Sequence, residues 1–168
     1  DAGLGEFQRV HHGDEFVASR NLYGGSLTQF GLSFKKLGWK CRFVDPTEPE
    51  NFRNALSPRT KAIFLENLAN PGGIVVDLER VAAIAHEAGI PLIVNDYPEM
   101  VPSFGAAGAH VGQDDRTVAD ARWRAGRSLA GEVPDPIIGK STHSIAQAVA
   151  AEAEGADYIG FGPLFATP

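Results

Sequence analysis

At 168 residues, with 43% hydrophobic and 21% charged side chains, the chain is sized for one well-buried α/β domain. Its formal net charge of −6 excludes a nonspecific nucleic-acid binder, which needs a positive footprint, and no apolar run is long enough to span a bilayer. Cys41 is the single cysteine, so no internal disulfide can form and a reducing, cytoplasmic setting is expected. Anionic ligands must then be held locally, by loops and metal.

The segment 1–12 is polar, lacks the apolar core of a signal peptide and stays unassigned; without an initiator Met it suggests a fragment or a processed chain. His11-His12 has no third partner at metal-binding spacing and reads as a solvated turn. From Gly13 a regular alternation begins. Glu15–Ala18 is a weak, short strand. Leu27, Phe30, Phe34 and Leu37 recur at helical spacing, and Gly38 stops that helix. Lys40–Val44 is a strand ended by Asp45-Pro46, and Glu50–Leu56 a short helix stopped by Ser57-Pro58. Ala62–Leu65 is a third strand, followed by the loop 66–73. Leu78, Val81 and Ile84-Ala85 mark a helix capped by Asp77 and closed by Gly89.

Pro91–Val94 is the next buried strand, and Asn95 and Asp96 follow it at once. Tyr97–Gly105 is a poor helix, carrying Pro98 and Pro102. Ala109–Gly112 is a strand ending in Gln113-Asp114-Asp115, and Thr117–Ala125 is helical. Residues 126–136 read as a long loop. Ile137–Gly139 is a strand ending at Ser141, and Ile145, Ala148 and Val149 share one face of an alanine-rich helix that stops at Gly155. Tyr158–Phe161 is the last strand. This rhythm implies βαβ units and a mainly parallel sheet of roughly seven strands. The fold class is α/β, either a partial (β/α) barrel or an open doubly wound sheet, read as one continuous domain.

Two families are written along it. Residues 13–94 resemble the large domain of the pyridoxal-phosphate enzymes of cysteine and methionine metabolism, closest to O-acetylhomoserine sulfhydrylase, through GDEFVASRNLYGGSLTQF, ENLANPGG and DLERVAAIAHEAGIPLIV. That resemblance implies a ring-stacking role for Tyr23 and a place beside the ring hydroxyl for Asn70. It also implies an Asp directly after the PLIV strand, paired with the pyridinium nitrogen, where this chain has Asn95. No glycine-rich phosphate cup precedes Gly13, and none of Lys35, Lys36, Lys40, Lys61 and Lys140 stands in the family's lysine motif. Tyr23 and Asn70 are therefore expected to serve as turn and sheet-edge residues.

Residues 91–168 resemble thiamine phosphate synthase, a (β/α)8 barrel, through PLIVND, GAAGAHVGQDD, IIGKSTHS and GADYIGFGPLFATP. Each motif sits at the carboxyl end of a strand, where barrel enzymes gather their sites. The resemblance implies displacement of pyrophosphate from hydroxymethylpyrimidine diphosphate by a thiazole phosphate. Asp96 and Asp115 match its Mg²⁺ ligands, Asn95 a substrate-contacting amide, and Ser141 a catalytic hydroxyl near the leaving group. Gly162 and Thr167 match part of its phosphate-binding segment. His110 and His143 read as structural. The early glutamine-arginine-lysine motif that grips the diphosphate is absent, and the chain ends just short of the expected Thr-Lys. The expectation is a chimera with phosphorylated small molecules as ligands and an incomplete site of weak or no activity. A non-catalytic fused scaffold is one alternative and a pyridoxal-phosphate-dependent, sulfhydrylase-like fragment another, and dimerisation could cover an open sheet edge.

Overall fold

The first strand of the alternation is central where its composition suggested weakness. β1 (Glu15–Ser19) is buried along its whole length, with β2 (Lys40–Val44) and β3 (Thr60–Phe64) paired parallel on either side. The computed structural model describes residues 12–69, 72–128, 131–132 and 135–162. The chain resolves into two compact units that divide between Ile90 and Pro91, within the helix-to-strand passage that both family likenesses share.

In the first unit, the sheet order β2–β1–β3 reverses direction at β1, as doubly wound sheets do. Helices cover both faces. α1 (Gly24–Thr28) runs through a π turn, Gln29–Ser33, into α2 (Phe34–Lys36), and Gly38 at φ 82° ends the run. That run packs Leu27, Phe30 and Phe34 against Phe16 and Ala18. Phe16 and Phe30 meet edge to face at 5.1 Å, and Phe34 and Trp39 at 4.9 Å; each such pair adds about 1 kcal/mol beyond its burial. On the other face, Val17 packs with Phe52 of α3 (Glu50–Ala55). The loop 66–73 holds β4 (Leu68–Ala69), which pairs antiparallel with β5 (Ile74–Val75). Val81 of α4 (Leu78–Glu87) joins the same core, and the Asp77 carboxylate accepts from Arg80 N–H as that helix's cap. Such a cap contributes about 1 kcal/mol.

In the second unit, β6 (Ile93–Asn95) is followed by a 3₁₀ turn at Pro98–Met100 instead of a helix, because two prolines remove backbone donors. β7 (Gly108–Val111) leads to α5 (Val118–Ala125), capped by Thr117. The expected long loop contains a small antiparallel pair, β8 (Arg127–Ser128) with β9 (Gly131–Glu132). β10 (Ile137–Thr142), α6 (Ile145–Ala153) and β11 (Tyr158–Phe161) complete the unit. The sheet order β11–β10–β7–β6 is parallel and runs in one direction, as along a barrel wall, although four strands make a segment and no closed barrel is shown. So the seven parallel strands fall into two sheets, one in each winding pattern.

The core of this unit joins Val101, Ala109, Val111, Val118, Ala121 and Ile138. α6 departs from expectation: Ile145 and Val149 are exposed, and Ala151 is its buried residue. At the amino-terminal end of the sheet, Arg122 bonds Asp157 at 2.7 Å, Gly155 O at 2.9 Å and Pro136 O at 2.6 Å, tying α5 to both flanking loops. Among the described residues no helix is long and apolar enough to cross a membrane.

Candidate functional site

The carboxyl ends of β6, β7, β10 and β11 lie side by side, and several polar groups gather there. Asn95 ends β6, and Asp96 follows with φ 67°, a left-handed turn that Asp tolerates better than most side chains. Its N–H donates to His110 O at 2.8 Å, which fixes it to β7. That turn brings the Asp96 carboxyl near both Asp115 and Asn95. Partial desolvation raises the Asp96 carboxyl above its ordinary value although the residue stays exposed, and the charge of Asp115 adds to the rise.

Asp115 is held by the loop after β7. Gly112 N–H donates to Asp115 Oδ2 at 2.7 Å. A Cβ on Gly112 would stand 2.6 Å from that same oxygen, so the bare backbone is what lets the carboxylate settle there. The sequence places Asp96 and Asp115 nineteen positions apart; parallel pairing of β6 with β7 makes them neighbours.

Ser141 lies on the inner face of β10, with Oγ 2.9 Å from His110 Nε2. The other imidazole nitrogen, Nδ1, is 3.1 Å from the Tyr158 hydroxyl on β11. Burial lowers the His110 pKa below its ordinary value, with Asp96 opposing the shift and Lys140 adding to it. That shift favours the neutral ring. Burial also pushes the Tyr158 hydroxyl up to about 12, so it remains protonated. The two rings lie over Gly139, where a Cβ would come within 2.1 Å of Tyr158 Cζ and 2.4 Å of His110 Nδ1. Gln113 donates its side-chain N–H to Ser141 O, closing the β7 loop onto β10.

Gly162 follows β11; its N–H donates to Thr142 O at 3.0 Å and its carbonyl faces His143 Nδ1. Thr167 lies outside the described residues, as does Asn70. Tyr23 belongs to the amino-terminal unit, with a 67% exposed side chain and its N–H donating to Glu66 Oε1 at 3.0 Å. It borders an open depression of ≈ 640 Å³ with Gly24, Gly25, Ser26, Thr28, Gln29 and Ser33, and among the described residues no lysine lines it.

The structure thus brings Asn95, Asp96, Asp115 and Ser141 to one sheet edge. It adds His110, Tyr158 and Gln113, which the sequence reading left in structural roles or did not single out. Strand parity was the signal that could have found the histidine: His110 is in register with Gly139, and Ser141 lies two residues on, on the same face.

An α/β protein that gathers carboxylate, amide, hydroxyl and imidazole groups at the carboxyl ends of adjacent parallel strands belongs to the broad class of (β/α) site architectures. More narrowly, the chain belongs to the thiamine monophosphate synthase family, whose model matches residues 46–168, beginning well upstream of the motifs at the strand ends. Thiamine-phosphate synthase of Shouchella clausii is 46% identical over 88 residues, 52% of this chain and 39% of that protein. Homocysteine/cysteine synthase of Kluyveromyces lactis is 38% identical over 125 residues, 71% of this chain and 27% of that protein. Among solved structures, the O-acetylhomoserine sulfhydrylase of Wolinella succinogenes superposes with a TM-score of 0.53 at 30% identity, over 60% of this chain and 30% of that one. Both family likenesses read from the sequence are therefore met, and the chain spans well under half the length of each of these relatives.

Proposed function

We propose that the carboxyl-terminal unit binds a phosphorylated small molecule through Mg²⁺ at Asp96 and Asp115, as a partial thiamine phosphate synthase site with weak or no turnover. The observation that supports this most is the convergence of the two carboxylates on one sheet edge, Asp96 fixed to β7 through His110 O and Asp115 held by the loop after β7, where like charges favour a shared cation. Among the described residues no group of three or more His, Cys, Asp or Glu is placed to hold a metal. Two carboxylates alone suit Mg²⁺, which takes oxygen ligands and keeps several waters and substrate phosphate oxygens. When bound, Mg²⁺ would neutralise the charge of a diphosphate leaving group.

The protein's own groups complete the reading. Asn95 presents an amide beside Asp96 for orienting a substrate. Neutral His110 hydrogen-bonds Ser141, leaving the hydroxyl directed by the imidazole to engage a phosphate oxygen. Cations are what this edge lacks. Among the described residues of the unit, Arg116 pairs with Glu99 and Asp120, Arg124 with Asp120, Arg122 with Asp157, Arg127 lies over Trp123, and the Lys140 ammonium is taken up by the carbonyls of Gly112 and Arg116. A transferred diphosphate would thus lose much of its electrostatic stabilisation, which supports weak turnover and the non-catalytic alternative.

A pyridoxal-phosphate site fits less well: Asn95 replaces the expected Asp, and among the described residues no lysine lines the depression beside Tyr23. Calorimetric titration with pyrophosphate tests the proposal. Binding is expected to require Mg²⁺ and to fall sharply in Asp115→Ala; metal-independent binding, or binding unchanged in that variant, would falsify it.

A further inference from the structure

Lys140 is the one buried cationic side chain among the described residues, 6% exposed, and neither family motif assigns it a role. Alternation along β10 puts Gly139 and Ser141 on the site face and Ile138, Lys140 and Thr142 on the helix face. That face is an apolar environment, since Ile138 packs there with Val111, Val118 and Ala121. An ammonium is costly in such a place unless its donors are satisfied. Among the described residues Lys140 forms no ion pair. Its Nζ donates instead to Gly112 O at 2.9 Å and to Arg116 O at 2.8 Å.

Those two carbonyls flank the turn that carries Asp115. Gly112 also contributes the N–H that holds the Asp115 carboxylate at 2.7 Å, and Gly112 O accepts from Asp115 N–H at 3.4 Å. The lysine therefore pins both ends of a five-residue loop, and the loop pins the carboxylate. An apolar side chain of similar length would fill the same space without reaching either carbonyl. We propose that Lys140 is a positioning residue: by tethering the 112–116 loop to β10, it sets Asp115 beside Asp96 for cation binding. The cation-binding part rests on the Mg²⁺ reading above, whereas the loop tether does not.

The test uses the full chain, labelled with ¹⁵N, and Lys140→Met, which keeps the stem and removes the donors. Calorimetry with Mg²⁺ and inorganic pyrophosphate is expected to show about tenfold weaker metal-dependent binding, the usual scale for losing a group that orients a metal ligand. The Gly112 amide proton should exchange faster and shift, while the amides of Arg122 and Asp157, at the far end of the strands, stay in place. A core-filling role predicts that neither the affinity nor the Gly112 amide changes, and that result overturns the proposal. Should Lys140→Met fail to fold, the parent chain still decides. A tethered ammonium gives a slowly exchanging ¹H–¹⁵N signal for Lys140, and its absence overturns the tether. If the parent shows no Mg²⁺-dependent binding while Gly112 responds to the substitution, the metal reading falls and the loop tether stands.

Discussion

Asp96 sits in a left-handed turn that Asn and Asp both accept, so Asp96→Asn removes a charge without straining the backbone. Its carboxyl is raised by burial and by Asp115, and the sign of the linkage follows. A carboxyl whose folded pKa lies above its unfolded value favours folding while protonated and costs stability once ionised. Metal-free Asp96→Asn is therefore expected to melt above the parent at pH 7, with the gap closing as the pH falls below the unfolded carboxyl range. Equal midpoints at pH 7 in calorimetric scans would contradict the like-charge contact. Gly112→Ala probes the other carboxylate. Its Cβ claims the space of Asp115 Oδ2 while the turn can remain, so Mg²⁺-dependent pyrophosphate binding should weaken about tenfold with little change in melting.

At the scale of elements, β1 carries a buried carboxylate beside its apolar core residues. Glu15 is 1% exposed and accepts from Arg42 Nε at 2.9 Å, Arg59 at 2.7 Å and Ser57 Oγ at 3.0 Å. Burial alone would raise its pKa; the hydrogen bonds from Ser57, Arg42 and Arg59 outweigh it and hold the carboxyl at about 2. A depressed pKa contributes stability that is complete above the unfolded value of 4.5 and lost as the pH falls toward 2. Glu15→Gln should accordingly lower the urea midpoint at pH 7, and the difference should shrink through that window. Arg122 plays the tying role in the second unit, and Arg122→Ala is expected to cost about 2 kcal/mol in chemical denaturation. Arg122→Lys should not restore it, because one ammonium cannot span a carboxylate and two separated carbonyls. Glu15 explains why β1 was underrated by reading alone: its ion partners lie 27 and 44 positions away, beyond any local pattern. Gly38, Asp77 and Gly89 were legible because a cap or a positive φ is a local requirement. The β8–β9 pair was not, since two-residue strands carry no period, and the apolar stripe of α6 named a face without naming anything to bury it.

For the whole molecule, the number of parallel strands was legible and their division was not. Strand order depends on which edges meet, and periodicity says nothing of that; β1 turned out to be a reversal point, while β6 to β11 run one way. The strand-end rule put Asp96 and Asp115 at the carboxyl ends of their strands; that the two ends are neighbours came from the pairing of β6 with β7. The His110–Tyr158 pair and the separate Lys140 tether needed register and depth as well. The two ancestries make one further contrast testable: incubation with pyridoxal phosphate followed by borohydride is expected to leave no adduct at a single defined lysine. Stoichiometric labelling of one lysine would revive the sulfhydrylase reading. Gly139 carries a last consequence. Its α-hydrogen occupies the direction in which a Cβ would run into the Tyr158 ring and the His110 imidazole. Ring currents must displace that proton's resonance far from the glycine norm, so Gly139 is an unlabelled reporter built into the strand. Any ligand that tilts either ring will announce itself there, turnover or none.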